Sequence, residues 1–148
     1  MLREIIEDTS ALGGIAVFLS AIFIAFFTDN KILALKLFIG LILCYAVVIG
    51  IRIFYFKQRP DKQKYKTFLG KLDASSFPSL HAMSSIYVAI VLANHIKKSI
   101  ISIFLVSISL LIAYSRIYLK KHYFVDIMLG LILGIIASII YLLIINFS

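Results

Sequence analysis

Arg52 and Arg59 stand seven residues apart, with Lys57 and Gln58 between them and Pro60 directly after. Seven residues is two helical turns, so both guanidiniums are expected on one side of a helix that Pro60 ends. Such a pair can clamp a phosphate, because each planar fork meets two oxygens at once. Taken alone, the pair reads more readily as arginines snorkelling to a membrane interface.

A second cluster, Ser75-Ser76-Phe77-Pro78-Ser79-Leu80-His81, runs into an apolar stretch. Serines and a proline ahead of an apolar run signal a helix start, whose free N–H groups and positive dipole attract anions. Ser79 adds a hydroxyl donor, and His81 falls in the first turn. Capping explains the serines but not the histidine. The third cluster is Ser115-Arg116, then His122 and Asp126. His122 and Asp126 are four apart and are expected on one face of the last helix. Asp126 is an acid inside an apolar run, which is costly unless paired and therefore a site candidate. Paired with His122 it would set the imidazole tautomer and support the cation formed when the ring attacks. A purely structural His–Asp hydrogen bond is the plainer alternative. Together the clusters hold what phosphoryl transfer without a metal needs: cations for the oxygens, one histidine to attack and one to protonate the leaving group.

The elements that must position these residues are membrane helices. Of 148 residues, 62% are hydrophobic and 15% charged, too few charges to dress a soluble domain of this size. Five apolar runs approach the roughly 20 residues that a span needs: Ala11–Phe27, Ile32–Phe56, Phe77–Ile96, Ser99–Leu119 and Tyr123–Phe147. The expectation is an all-α polytopic bundle of about five spans, one domain over residues 1–148. Met1–Ser10 is acidic where a secretory n-region is basic, so the first helix is expected to be retained. Cys44, the single cysteine, reads as a small packing residue. Gly130, Gly134 and Ser138 form a small-residue stripe that lets another helix approach closely. Its expected use is packing inside the bundle, with a homo-oligomer contact as the alternative. Five spans put all three clusters on the face that carries the N-terminus.

The three clusters resemble the motifs of the superfamily shared by type 2 phosphatidic acid phosphatases and vanadium haloperoxidases: K-x6-R-P, P-S-G-H and S-R-x5-H-x3-D. Ser115, Arg116, His122 and Asp126 match the third without exception, Pro78-Ser79-Leu80-His81 gives the second, and Arg52-x6-Arg59-Pro60 gives the first. The resemblance covers Arg52–Asp126 and the flanking helices. It implies that His122 is a nucleophile forming a phosphohistidine, that Asp126 orients it, and that His81 is the general acid. It further implies that Arg52, Arg59, Ser79 and Arg116 hold the phosphoryl oxygens, helped by the backbone near Leu80, and that neither metal nor cofactor is needed. Ser115 in the third motif and Lys57 between the two arginines are further candidates for support.

The chain departs from the pattern in three places. Arg52 replaces lysine, which keeps charge but changes donor geometry. Leu80 replaces glycine, a form that also resembles the inositol phosphorylceramide synthase branch. Five spans replace the family's usual six.

The activity so implied is hydrolysis of a lipid phosphate or polyprenyl diphosphate, with membrane lipids as surroundings and no nucleic-acid partner. Headgroup transfer to an alcohol is the alternative within the same chemistry, and a non-catalytic binder of anionic lipids the alternative from another class. A haem or metal protein fits least, because three arginines would repel a cation. The segment Lys57–Lys71, with six basic residues against Asp61, suits anionic headgroups or serves as an interfacial anchor. Most of the fifteen basic residues fall on the site face, which by the positive-inside rule is cytoplasmic. The resemblance implies a cell-membrane protein with the opposite, extracytoplasmic, placement, and that placement is preferred because substrate-binding cations distort the count.

Overall fold

A computed structural model describes residues 15–146. The acidic stretch Met1–Ser10 and the outer ends of the first and last expected spans lie outside the described residues. Within them the chain forms six α-helices: α1 Ile15–Phe27, α2 Lys31–Phe54, α3 Phe68–Ala74, α4 Leu80–Ile96, α5 Ser99–Tyr118 and α6 Phe124–Asn146. The all-α class is as expected. Helix α2, helix α5 and the Phe124–Leu143 part of α6 are long and apolar enough to cross a membrane, while Phe18–Phe27 and Leu80–Ile96 are shorter apolar helices.

Helix α4 is short because of where it sits. Its 17 residues rise about 25 Å, less than the roughly 30 Å of a hydrocarbon core. It packs against α2, α5 and α6 and buries Met83, Ile86, Tyr87 and Val91. A helix shielded on most sides can carry polar groups that a lipid-facing one cannot. Ser85 Oγ accordingly lies 3.1 Å from Ser109 Oγ of α5. Lipid-facing positions such as Leu35, Phe38, Phe104 and Ile139 are apolar and exposed.

The small-residue stripe lets α6 reach α4. A Cβ on Gly130 would stand 2.5 Å from the Ser79 carbonyl oxygen and 3.1 Å from Ala82 Cβ, and one on Gly134 would strike Met83 and Ile86. The stripe is thus buried within the chain, and Cys44 is packed inside the core cluster of α2 and α4.

Helix α3 was not expected. Thr67 caps it, its Oγ1 accepting the Gly70 N–H at 3.0 Å. Seven residues inside the basic segment leave too little periodicity to read. The ends of α2 and α5 and the starts of α4 and α6 meet at one end of the bundle. There Ser79 N–H donates to the Asp126 carbonyl at 3.0 Å and Asp61 N–H to the Lys120 carbonyl at 3.1 Å.

Candidate active site

The link between α5 and α6 is closed by its own main chain. The N–H groups of Lys121 and His122 both donate to the Arg116 carbonyl, at 3.0 and 3.2 Å. That folds the chain back and directs the His122 ring inward, where it is 2% exposed. Its Nδ1 lies 2.6 Å from the Ser76 carbonyl oxygen. A carbonyl can only accept, so Nδ1 carries the proton and Nε2 of the neutral ring keeps its lone pair. Burial drives the ring's pKa below its usual value. The Ser76 bond opposes this, and the charges of Arg116, Arg59 and Arg52 add to the lowering. Burial, with the field of three arginines, thus favours the neutral ring.

Asp126 is fully buried, but it does not bond His122. Its Oδ1 pairs with Lys57 Nζ at 2.6 Å, and its Oδ2 accepts the Tyr123 N–H at 2.9 Å. The expected helix face fails for a local reason. Helix α6 starts at Phe124, so His122 precedes it and the four-residue spacing no longer stacks the two side chains. Asp126 stands at the third helical position, from which a side chain points back over the start and reaches the capping residue's N–H. The ring is aligned by Ser76 instead.

The arginine pair is also brought together differently from expectation. Helix α2 ends at Phe54, which leaves Arg59 in the following loop and off any shared stripe. Arg52 is buried at 8% exposure and donates from Nη1 to the Leu72 carbonyl and from Nη2 to the Pro78 carbonyl, both at 3.0 Å. It therefore pins the end of α3 and the cap of α4, and its charge still contributes to the field at His122. Arg59 is held by Gln63 Oε1 at 2.7 Å and stands 3.8 Å from Asp73. Among the described residues, the buried Nε atoms of Arg52 and Arg59 find no acceptor, which leaves them free to donate to a bound anion. Arg116, in the last turn of α5, is half-buried.

Ser79 caps α4: its side chain accepts the Ala82 N–H at 3.4 Å, leaving its own hydroxyl proton free to donate elsewhere. Leu80 opens the helix and packs against the core cluster, so its bulk is taken up by the bundle. His81 is the second residue of α4, half-buried. Ser115 is turned into its own helix, its Oγ donating to the Ile112 carbonyl at 2.6 Å. Sequence reasoning missed Ser76 as the ring's partner, since a carbonyl contact leaves no side-chain signature, and the Lys57–Asp126 pair, whose members are 69 residues apart.

A family model described as the PAP2 superfamily matches residues 33–148. The chain belongs to the PAP2 superfamily. Among solved structures it is similar to Aquifex aeolicus LpxE, at 27% identity and a TM-score of 0.80 over 95% of this chain and 85% of that one. It is also similar to the first transmembrane PAP2-type phosphatidylglycerolphosphate phosphatase from Bacillus subtilis. That match has 22% identity and a TM-score of 0.78, over 95% of this chain and 74% of that one. No curated protein sequence matches. With the family goes the class: this PAP2 protein is a membrane hydrolase of phosphate esters.

Proposed function

We propose that this PAP2 protein hydrolyses a phosphate monoester or diphosphate carried by a membrane lipid, through a phosphohistidine at His122 and without a metal. The observation that carries the reading is the His122–Ser76 bond, which leaves Nε2 with the lone pair an attacking nitrogen needs.

In the first step His122 Nε2 forms a bond to phosphorus while the bond from phosphorus to the lipid oxygen breaks. His81 gives its proton to that oxygen as the lipid alcohol leaves from a monoester, or the lipid monophosphate from a diphosphate attacked at its terminal phosphorus. Arg52, Arg59, Arg116 and the Ser79 hydroxyl offset the negative charge of the phosphoryl oxygens. In the second step water, giving a proton back to His81, attacks phosphorus and releases phosphate and the free ring. Asp126 supports the site by holding the start of α6, one bond removed from the ring.

The site lies at the end of the bundle, where a headgroup can enter while its tail stays in lipid. Glycerolipid phosphates, the class in the Bacillus subtilis relative's name, are the first substrates to test, and polyprenyl diphosphates the second. The family resemblance supports an extracytoplasmic site face, against the count of basic residues.

The test is phosphate release by detergent-purified protein from phosphatidate, phosphatidylglycerol phosphate and polyprenyl diphosphates, with chelator present, beside His122→Ala. A phosphorylated histidine should be trapped by acid-free quenching in wild type alone. Release only on addition of an alcohol would overturn hydrolysis in favour of headgroup transfer. Release that persists in His122→Ala would end the nucleophile assignment.

A further inference from the structure

Lys57 lies outside the matched motif positions, yet it grips the His122 segment from two sides. Its Nζ is 2.6 Å from Asp126 Oδ1 and lies 4.5 Å from the Tyr123 ring centroid and 5.8 Å from that of Phe77. Through Asp126 Oδ2 the grip passes to the Tyr123 N–H, the peptide that follows His122. On the other side, the Lys57 carbonyl accepts both the Ser76 N–H at 2.8 Å and the Ser76 hydroxyl at 3.2 Å. Lys57 N–H faces Ser75 Oγ at 3.4 Å. Ser76 in turn presents its carbonyl to the ring. The ties close a circuit: Lys57, Asp126, Tyr123, His122, Ser76 and back to Lys57.

We propose that Lys57 is a positioning residue for His122, its ammonium fixing the peptide after the ring through Asp126 and its main chain fixing the carbonyl that selects the ring's tautomer. The ammonium is committed to a fully buried carboxylate and two aromatic faces, a placement unlike that of a cation left for substrate. A buried carboxylate that loses its cation is strongly destabilised in place, so removing the lysine charge moves Asp126 and with it the start of α6. The proposal rests on the reading of His122 as the nucleophile.

The experiment compares wild type, Lys57→Met, Lys57→Arg, Asp126→Asn and the double variant Lys57→Met/Asp126→Asn. Steady-state kinetics are measured on the best lipid substrate, and 15N spectra of labelled histidine in micelles are recorded for each. Lys57→Met should lower kcat about a hundredfold, the cost of a small misplacement of a reacting group, with KM little changed. Lys57→Arg should recover most of that loss. The double variant should be no slower than the slower single one. The nitrogen spectrum should show His122 as the Nδ1–H form in wild type and a mixture of tautomers in Lys57→Met.

A raised KM at unchanged kcat would assign Lys57 to substrate binding and overturn the proposal. So would an unaltered tautomer in Lys57→Met. If wild type turns over no lipid, it is the nucleophile reading that fails, and the spectra alone still decide whether Lys57 sets the ring.

Discussion

His122 and Ser76, 46 residues apart in the chain, are joined by a 2.6 Å contact between Nδ1 and a main-chain carbonyl. The orienting acceptor is therefore part of the loop that leads into α4, and no side-chain substitution at Ser76 removes it directly. His122→Gln should abolish turnover, since an amide nitrogen has no lone pair available for attack on phosphorus. Ser76→Ala, which loses only the hydroxyl bond to Lys57, should cost well under a hundredfold in kcat. Parallel kinetics on the two variants check this, and equal losses would contradict the assignment of the carbonyl.

Arg52 carries two duties that can be separated. Arg52→Lys keeps the charge, and lysine is what the family motif has at this place. A single ammonium on a flexible stem does not reproduce the fork that spans Leu72 and Pro78. Losing one charge-assisted bond costs about 1.5–3 kcal/mol. The expected result is a lowered melting temperature with activity largely kept, whereas Arg52→Ala should lose both. Thermal unfolding in detergent, read beside kcat/KM, distinguishes them.

Acid should act on this protein partly through His122. Burial first, then the Arg116, Arg59 and Arg52 charges, lower its folded pKa despite the Ser76 bond, whereas the unfolded ring titrates near about 6.5. Below that value the unfolded chain binds a proton that the folded chain refuses. Stability therefore falls as pH drops through that range and is whole above it. Melting temperatures from pH 8 to pH 5 should fall more steeply in wild type than in His122→Gln. Phosphate must be left out of the buffer, since a bound anion would raise the ring's pKa. Equal slopes would mean that the ring is not shielded.

What the sequence disclosed here and what it hid follow one physical divide. Helices were readable because apolar runs of span length are unambiguous, and the clusters were readable because arginine, histidine and aspartate are rare in such runs. Pairings were not. Two of them were argued from helical spacing, Arg52 with Arg59 and His122 with Asp126, and in both cases one partner lies beyond the helix end. His122 lies two residues before α6 begins and Arg59 five residues after α2 ends. A face argued across a terminus is then lost, even when the residues themselves meet at one place. The partners that do hold the site, Ser76 with His122 and Lys57 with Asp126, are long-range contacts with no spacing rule to reveal them.

Gly130 ties the packing of the bundle to the site. A Cβ there would stand 2.5 Å from the Ser79 carbonyl oxygen, and that oxygen accepts the Met83 N–H as α4 begins. Neither backbone atom can step aside cheaply, so α6 must back away from the start of α4. The same retreat would stretch the Ser79 N–H bond to the Asp126 carbonyl. Gly130→Ala is thus expected to destabilise by about 1–3 kcal/mol, as overpacking does, and also to reduce kcat, because Ser79 and Asp126 move apart. Gly50 has nothing within 4 Å of an added Cβ, and Gly50→Ala should leave kcat unchanged and melting no lower. Measuring both variants side by side isolates the contact. If Gly130→Ala melts and turns over as wild type does, α6 does not depend on that close approach to hold the site together.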